Sequence, residues 1–309
     1  MSQSRCVLLT GAGGFIGRQA IPALLARGFE VHAVSKAELP VAIAHCEGVV
    51  FHKANLLDPN ETREIMQVVK PSHLLHFAWY TAHGKFWQSP ENLKWVSASL
   101  DLFSRFAEIG GERSVFAGTC AEYEWSESLL VEDSPRRPAT LYGVCKNELH
   151  EIYAAAARNY GVSAGWGRIF LPYGPHEDSR RIVPSAISQL LRGLPAEFTH
   201  GKQLRDLIHV EDLAGAFVAL LSSSQEGPMN LGSGEPIELK EVVERIGHLI
   251  GRPELLRIGA RPTRDGDPMT LIPNVTLMKS SLQFEPRYSL DAGLKSTLAW
   301  WQEQIKGSF

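Results

Sequence analysis

The sequence predicts an α/β fold, a doubly wound parallel sheet followed by a smaller C-terminal lobe. Three observations carry this reading. A glycine-rich loop joins a short apolar run to a helical segment near the N-terminus, strand and helix signals then alternate to about residue 170, and the alternation breaks where proline and glycine become dense.

Residues 6–10 are an apolar run, 15–26 have helical character, Gly28 supplies a stop, and 30–34 read as a strand. That is one strand, helix, strand unit. The pattern recurs as a strand over 49–51, a helix over 60–69 and a buried strand over 72–78. A long helix follows over 92–109, a strand over 114–118, a second long helix over 140–157 and a strand over 164–170. Leu171-Pro172-Tyr173-Gly174-Pro175 then marks a departure from the sheet. The 207–221 stretch, Ala-rich with Asp212 near its N-cap, predicts a return to the sheet before 229–231, and helices over 239–250 and 290–304 complete the lobe. The first domain therefore takes 1–170 plus about 205–231, and the lobe about 171–204 plus 232–309.

Composition narrows the function classes. With 309 residues, 44% hydrophobic, 21% charged and a net charge of −3, the chain is an ordinary globular protein with no electrostatic footprint for nucleic acid or an anionic membrane. Cys6, Cys46, Cys120 and Cys145 are scattered without metal-ligand spacing, so no metal site is expected. No apolar run approaches the roughly 18 to 20 residues that span a bilayer. Without a signal-peptide core ahead of the first strand, a reducing cytoplasm is the expected location.

The loop Thr10-Gly11-Ala12-Gly13-Gly14-Phe15-Ile16-Gly17 lies between a strand and a helix. Gly11 suits the tight turn, Gly14 leaves room for a pyrophosphate, Gly17 lets helix and strand approach, and a free helix N-terminus faces the phosphates. A dinucleotide in a Rossmann-like first domain follows. Cofactor choice is read at the end of the second strand, where a carboxylate would hold a bare ribose and repel a 2'-phosphate. Ser35-Lys36 stands there instead, a hydroxyl beside an ammonium, which favours NADP(H) over NAD(H). Arg18 is a weaker candidate for the same phosphate.

Tyr142 and Lys146 are four residues apart, hence on one face of a helix. A cation held within about 4 to 6 Å of a phenol favours phenolate and prepares it for proton transfer. Read alone, the pair is more often a solvated surface feature than machinery. Thr119 on the preceding strand changes that, because two hydroxyls and an ammonium are what a carbonyl receiving hydride needs.

With the loop, Thr119 and the Tyr142/Lys146 pair in this order, the chain resembles the extended short-chain dehydrogenase/reductase superfamily, in its NAD-dependent epimerase/dehydratase family of nucleotide-sugar enzymes. Further matching stations are Asn55-Leu56-Leu57-Asp58, His76-Phe77-Ala78, Gly118-Thr119-Cys120-Ala121-Glu122-Tyr123, Arg168 to Pro175 and Arg205 to Asp212. The resemblance implies that the lobe binds substrate, that Asn55 and Leu56 sit by the adenine, and that Phe77 and Ala78 line the cofactor. It further assigns Tyr142 as acid/base, Lys146 to the nicotinamide ribose and Thr119 to the reacting oxygen. A homodimer paired through the two long helices is also implied.

Residues beside Thr119 separate the reactions of this superfamily. Dehydratases resembling this chain follow their threonine with an Asp-Glu pair, and Cys120-Ala121 supplies no carboxylate. If this segment is extended, Glu122 points away. The dual epimerase-reductases place a cysteine two residues after the hydroxyl residue, where this chain has Ala121. An NADPH-dependent reductase of a nucleotide-linked 4-keto-6-deoxysugar is favoured, against a 4-epimerase with tightly bound NAD; a 4,6-dehydratase and an inactive cofactor-binding regulator are disfavoured.

Diphosphate oxygens call for arginine. By resemblance Arg205 and Arg264 serve the diphosphate and Asp267 the ribose. The family commonly has Asn at the position of Leu171, so one amide contact is missing, and no sequence argument shows that Lys202 or His176 replaces it. The segment 79–87, after a strand end, combines aromatics, His83 and a glycine, which reads either as Trp79 and His83 bordering the sugar or as an aromatic surface loop packing on the lobe interface.

Overall fold

The computed structural model describes residues 5–38, 46–126, 128–263 and 266–306. Its centre is a seven-stranded sheet built from β1 (Arg5–Thr10), β2 (Phe29–Ser35), β3 (Val49–Lys53), β4 (His73–His76), β5 (Arg113–Thr119), β6 (Ser163–Ile169) and β10 (Gly227–Leu231). All its pairings are parallel, in the order β10-β6-β5-β4-β1-β2-β3. Strands buried on both faces must be apolar at consecutive positions, and Leu74-Leu75 and Val115-Phe116-Ala117 meet that need. Neighbouring residues divide between the faces: Val7 and Leu9 join one core with α1 (Gly17–Ala26) and α6 (Val210–Leu221). Leu8 joins the other with α2 (Pro59–Val69), α3 (Glu91–Glu108) and α4 (Leu141–Tyr160).

Local signals set the helix starts. Asp58 caps α2 by accepting from the Asn60 N–H at 2.8 Å, ahead of Pro59. Thr140 caps α4 by accepting from the Gly143 N–H at 3.1 Å, which fixes where Tyr142 and Lys146 fall on the helix. The chain runs β1, β2, β3 to one side and then crosses to β4 on the other side of β1. Such a reversal opens a crevice at the C-terminal ends of the strands.

The lobe has its own sheet of β7 (Leu171–Tyr173), β9 (Leu204–His209), β11 (Pro236–Glu238) and β13 (Thr270–Leu271), with the pair β8 (Ala196–Phe198) and β12 (Leu256–Ile258). Helices α5 (Ile182–Leu191), α7 (Leu239–Ile250) and α9 (Leu290–Lys306) pack around them on a separate core. Leu204–His209, at the expected return to the first domain, bonds to strands of the second sheet while its Ile208 packs in the first domain's core. The short α8 (Thr276–Leu282), expected within the lobe, sends Met278 into the first domain's core. Among the described residues no helix is long and apolar enough to cross a membrane.

Candidate active site

The C-terminal ends of β1 to β5 converge on the crevice, and the glycine loop crosses it. Gly14 N–H donates to the Gly11 carbonyl at 2.9 Å, closing the turn, and α1 begins at Gly17 with no side chain capping its N–H groups. A Cβ on Gly17 would lie 2.2 Å from the Gly11 carbonyl oxygen, so only glycine permits this approach of loop and helix. The cradle and the uncapped helix N-terminus fit the pyrophosphate of a dinucleotide.

Thr10 ties the loop to the next strand end. Its hydroxyl oxygen accepts from the Phe77 and Ala78 N–H groups, each at 3.2 Å, and lies 2.7 Å from His76 Nδ1. Its single proton therefore goes to Nδ1, leaving His76 Nε2–H to donate to Ser99 Oγ at 2.8 Å. Burial holds His76 down at about 3, so the ring stays neutral. Phe77 and Ala78 are thereby placed beside Gly11.

At the end of β2, Ser35 Oγ accepts from the Ala37 N–H at 3.3 Å and Lys36 is exposed. Lys53 lies directly across from Ser35 in the register with β3, and its ammonium reaches Glu38 at 2.7 Å. Asn55 and Leu56 follow β3; the Asn55 N–H donates to Glu61 at 2.8 Å. Arg18 turns from this edge. It donates to the Gly13 and Gly14 carbonyls at 2.7 and 3.2 Å and to His176 Nδ1 of the lobe at 2.6 Å.

Thr119 ends β5. Its N–H donates to Glu122 Oε1 at 2.8 Å while its hydroxyl accepts from the Ala121 N–H at 3.2 Å, a capping box over a single turn of 3-10 helix. Glu122, expected to point away from an extended segment, therefore lies beneath Thr119, because the segment turns. Arg168 Nε meets Glu122 Oε2 at 2.7 Å with both side chains fully buried, and Trp166 Nε1 bonds the same carboxylate. A buried ion pair satisfied by further donors holds one geometry.

Tyr142 and Lys146 come from α4, which approaches this turn closely: a Cβ on Gly143 would lie 2.3 Å from the Ala121 carbonyl oxygen. Burial pushes the Tyr142 phenol above its ordinary value, and the Thr119 hydroxyl bonded to it pulls the other way. Burial thus favours the protonated phenol over the phenolate that the Tyr/Lys spacing suggests. Lys146 is turned elsewhere, donating to the Ala117 carbonyl at 2.8 Å with Nζ 3.7 Å from the Trp79 ring centroid. Burial lowers this ammonium to about 7. Phe86, Trp87 and Trp79 stand edge to face with the Tyr142 ring at 4.9, 5.8 and 6.5 Å.

Across the crevice, Arg205 Nη2 donates to Asp267 Oδ1 at 2.7 Å, and Gln203 Nε2 donates to Asp267 Oδ2 at 2.8 Å. Asp267 lines a lobe cavity of about 280 Å³ with Phe198, Thr199, Gln203, Lys240 and Arg261. A second cavity of about 180 Å³ is bounded by His83, Leu171, Glu177, Arg181 and Leu207. Arg180, Ile182 and Leu239 line both. Arg264 lies outside the described residues.

A profile of the NAD dependent epimerase/dehydratase family matches residues 7–232. The chain belongs to this family. It is an extended short-chain dehydrogenase/reductase with a Rossmann-like first domain, and an enzyme by membership. It is 28% identical to a UDP-glucose 4-epimerase of Rhizobium meliloti over 99% of each chain, and 28% identical to a dTDP-4-dehydro-6-deoxy-D-allose reductase of Streptomyces bikiniensis over 98% of each. The UDP-glucose 4-epimerase of Thermus thermophilus, solved in complex with NAD, superposes with a TM-score of 0.85 at 25% identity, covering 96% of this chain and 99% of that one.

Family membership sharpens which residues the fold brings together. Thr119 and Tyr142 meet directly, and Gly11, Gly14, Phe15, Ile16, Gly17, Phe77 and Ala78 share one side of the crevice with them. Arg205 and Asp267 meet on the other. Sequence reading missed Lys53, Glu177 and Arg181. Arg181 alone had a usable signal, standing just before the helix that follows the Pro-Tyr-Gly-Pro stretch.

Proposed function

We propose that the protein is an NADPH-dependent reductase of a nucleotide-linked 4-keto-6-deoxysugar. The observation that carries the reading is the C-terminal edge of β2 and β3, where Lys53 stands across from Ser35 in the register, Lys36 follows Ser35 in the chain, and the nearby carboxylate of Glu38 is engaged by Lys53. Two ammonium groups and a hydroxyl suit a 2'-phosphate. A glycine loop on the pyrophosphate, with Asn55, Leu56, Phe77 and Ala78 along its length, would hold the cofactor, which when bound supplies hydride. Tyr142 delivers the proton to the sugar oxygen, Thr119 hydrogen-bonds that oxygen, and Lys146 stabilises the charge that grows there. Burial of Tyr142 keeps the proton on the phenol until it is needed, as proton delivery requires. Cys120 and Ala121 offer no acid and base for dehydration, and burial pushes the Cys120 thiol up to about 12. The lobe cavity beside Asp267 receives the nucleotide, with Arg205 and Arg264 on the diphosphate and Trp79 and His83 on the sugar.

A 4-epimerase with tightly bound NAD is the second reading, favoured by the names of several relatives. Incubation with a dTDP-4-keto-6-deoxyhexose separates them. The reductase consumes NADPH mole for mole at 340 nm, prefers it to NADH, and loses about tenfold in NADPH affinity in Lys36→Ala, the scale of one charge-assisted contact. Interconversion of two sugar nucleotides with no net change at 340 nm, or a preference for NADH, overturns it.

A further inference from the structure

Lys146 carries its charge where little polar matter supports it. The residue is 4% exposed, and among the described residues its ammonium donates one hydrogen bond, to the Ala117 carbonyl at 2.8 Å. No described carboxylate stands at ion-pair distance from it; Glu122, whose charge reaches it, is paired with Arg168. A buried charge so thinly partnered is costly unless something else holds it.

The remaining support is aromatic. Trp79, in the loop after β4, places its ring centroid 3.7 Å from Lys146 Nζ, within reach for a cation over a π face. The ring is itself pinned. Its Nε1–H donates to Asn92 Oδ1 at 2.9 Å, and Asn92, fully buried in the first turn of α3, donates through Nδ2 to the Phe86 and Ser89 carbonyls at 2.7 and 2.9 Å. With both amide hydrogens committed, the Asn92 oxygen must face the indole. Trp95, also on α3, flanks the ring at 6.3 Å. Contacts from α3 thus set where the ring stands, and the ammonium from α4 lies against it.

Resting on the reading that Lys146 stabilises charge on the substrate oxygen, we propose that Trp79 is a positioning residue that acts through Lys146, its indole face holding the ammonium charged and in place. A π face suits this task better than a carboxylate. It attracts the cation without neutralising it, so the charge stays available to an oxygen that turns anionic. An ammonium has three N–H donors. One meets the Ala117 carbonyl, the ring covers a second, and the third is left for the ribose that the family resemblance assigns to Lys146. Burial lowers the ammonium to about 7 while Glu122 and Cys145 pull it up, so its charge is easily tipped near neutral pH. The other groups facing it are Tyr142 on the same helix, held protonated by burial, and His76 at the end of β4, held neutral. Lys146 is charged below its pKa and neutral above it. Removing the ring lowers that pKa, and the charge is lost earlier as pH rises.

The test titrates Lys146 itself, so it stands apart from the assays that decide between reductase and epimerase. The full chain, isotope-labelled at its lysine side chains, is followed by NMR across neutral pH, with the Lys146 signal assigned by its loss in Lys146→Arg. Trp79→Phe and Trp79→Leu both lose the bond to Asn92, and only phenylalanine keeps a π face, so the difference between them isolates the ring. The Lys146 midpoint is expected to stay within about half a unit of wild type in Trp79→Phe and to fall by about one unit in Trp79→Leu. The basic limb of kcat at saturating substrates is expected to move with it. Thermal melts report folding, and Trp79→Met, an apolar filler of greater length, gives the same comparison if the leucine variant does not fold. Equal midpoints with and without the π face, or a change confined to the sugar-nucleotide KM, overturn the proposal. A midpoint that falls while the kcat limb stays in place upholds the ring's hold on Lys146 and overturns instead the reading that Lys146 supplies charge during turnover.

Discussion

The two walls of the crevice are made by different physics. On the first-domain side the groups sit at the ends of adjacent parallel strands, and the spacing is fixed by backbone contact: the loop at Gly17, the helix at Gly143, and Thr10 bonded to two successive N–H groups. On the lobe side the groups are joined through side chains from distant segments. Arg205 and Gln203 reach Asp267 across 62 and 64 residues, and Arg18 reaches His176 across 158. Sterics enforced by backbone leave little freedom, whereas a side-chain network can change partners without moving the chain. The first wall should therefore fail abruptly on substitution, and the second should yield by degrees.

The largest effect is expected at Tyr142. Tyr142→Phe removes one oxygen and keeps the ring among Phe86, Trp87 and Trp79, so folding and cofactor affinity should persist while kcat falls by about 10²- to 10⁴-fold. Steady-state rates beside a thermal melt check this. A wild-type rate would remove Tyr142 from the chemistry.

Gly17→Ala comes next. The added methyl cannot coexist with the Gly11 carbonyl, and relieving the clash requires the loop to move, at about 1 to 3 kcal/mol. A moved loop no longer presents its N–H groups, so NADPH affinity should drop more than tenfold with a lowered melting temperature. Fluorescence titration with NADPH measures it; unchanged affinity would show that the loop does not hold the cofactor and would break the contrast between the walls.

Legibility followed the same division. The glycine loop and the Tyr142/Lys146 pair were readable because each is contiguous and its geometry follows from helix and turn periods. Lys53 was not, since it meets Ser35 only through strand register, which single-sequence spacing does not reveal. The position of Glu122 could be read only on the condition that its segment is extended, and the segment forms one turn of 3-10 helix instead. The expectation that Lys146 would draw the phenol toward phenolate gave way to burial, an effect of packing from three aromatic rings and a strand end. Glu177 carries no sequence signal at all: its burial depends on how β7, α5 and the loop after β4 close on one another.

Asp267 tests the gentler wall. Its carboxylate is one-third exposed, whereas Arg205 is 4% exposed, so water shares part of the load on the acid. In Asp267→Asn the amide oxygen can still accept from Arg205, which keeps its bond to the Leu204 carbonyl at 2.9 Å. The new amide N–H₂ would face the Gln203 N–H₂, a mismatch that Gln203 can resolve by turning over its own amide, since its carbonyl oxygen has no other partner. The network should therefore survive with its charge reduced and the substrate contact weakened. The sugar-nucleotide KM is expected to rise by about five- to tenfold, within the range of one altered hydrogen bond, with kcat and the NADPH KM unchanged. A parallel fall in kcat would mean that the lobe also aligns the reacting carbons with Tyr142, and the distinction between an unyielding wall and an adjustable one would fail at that point.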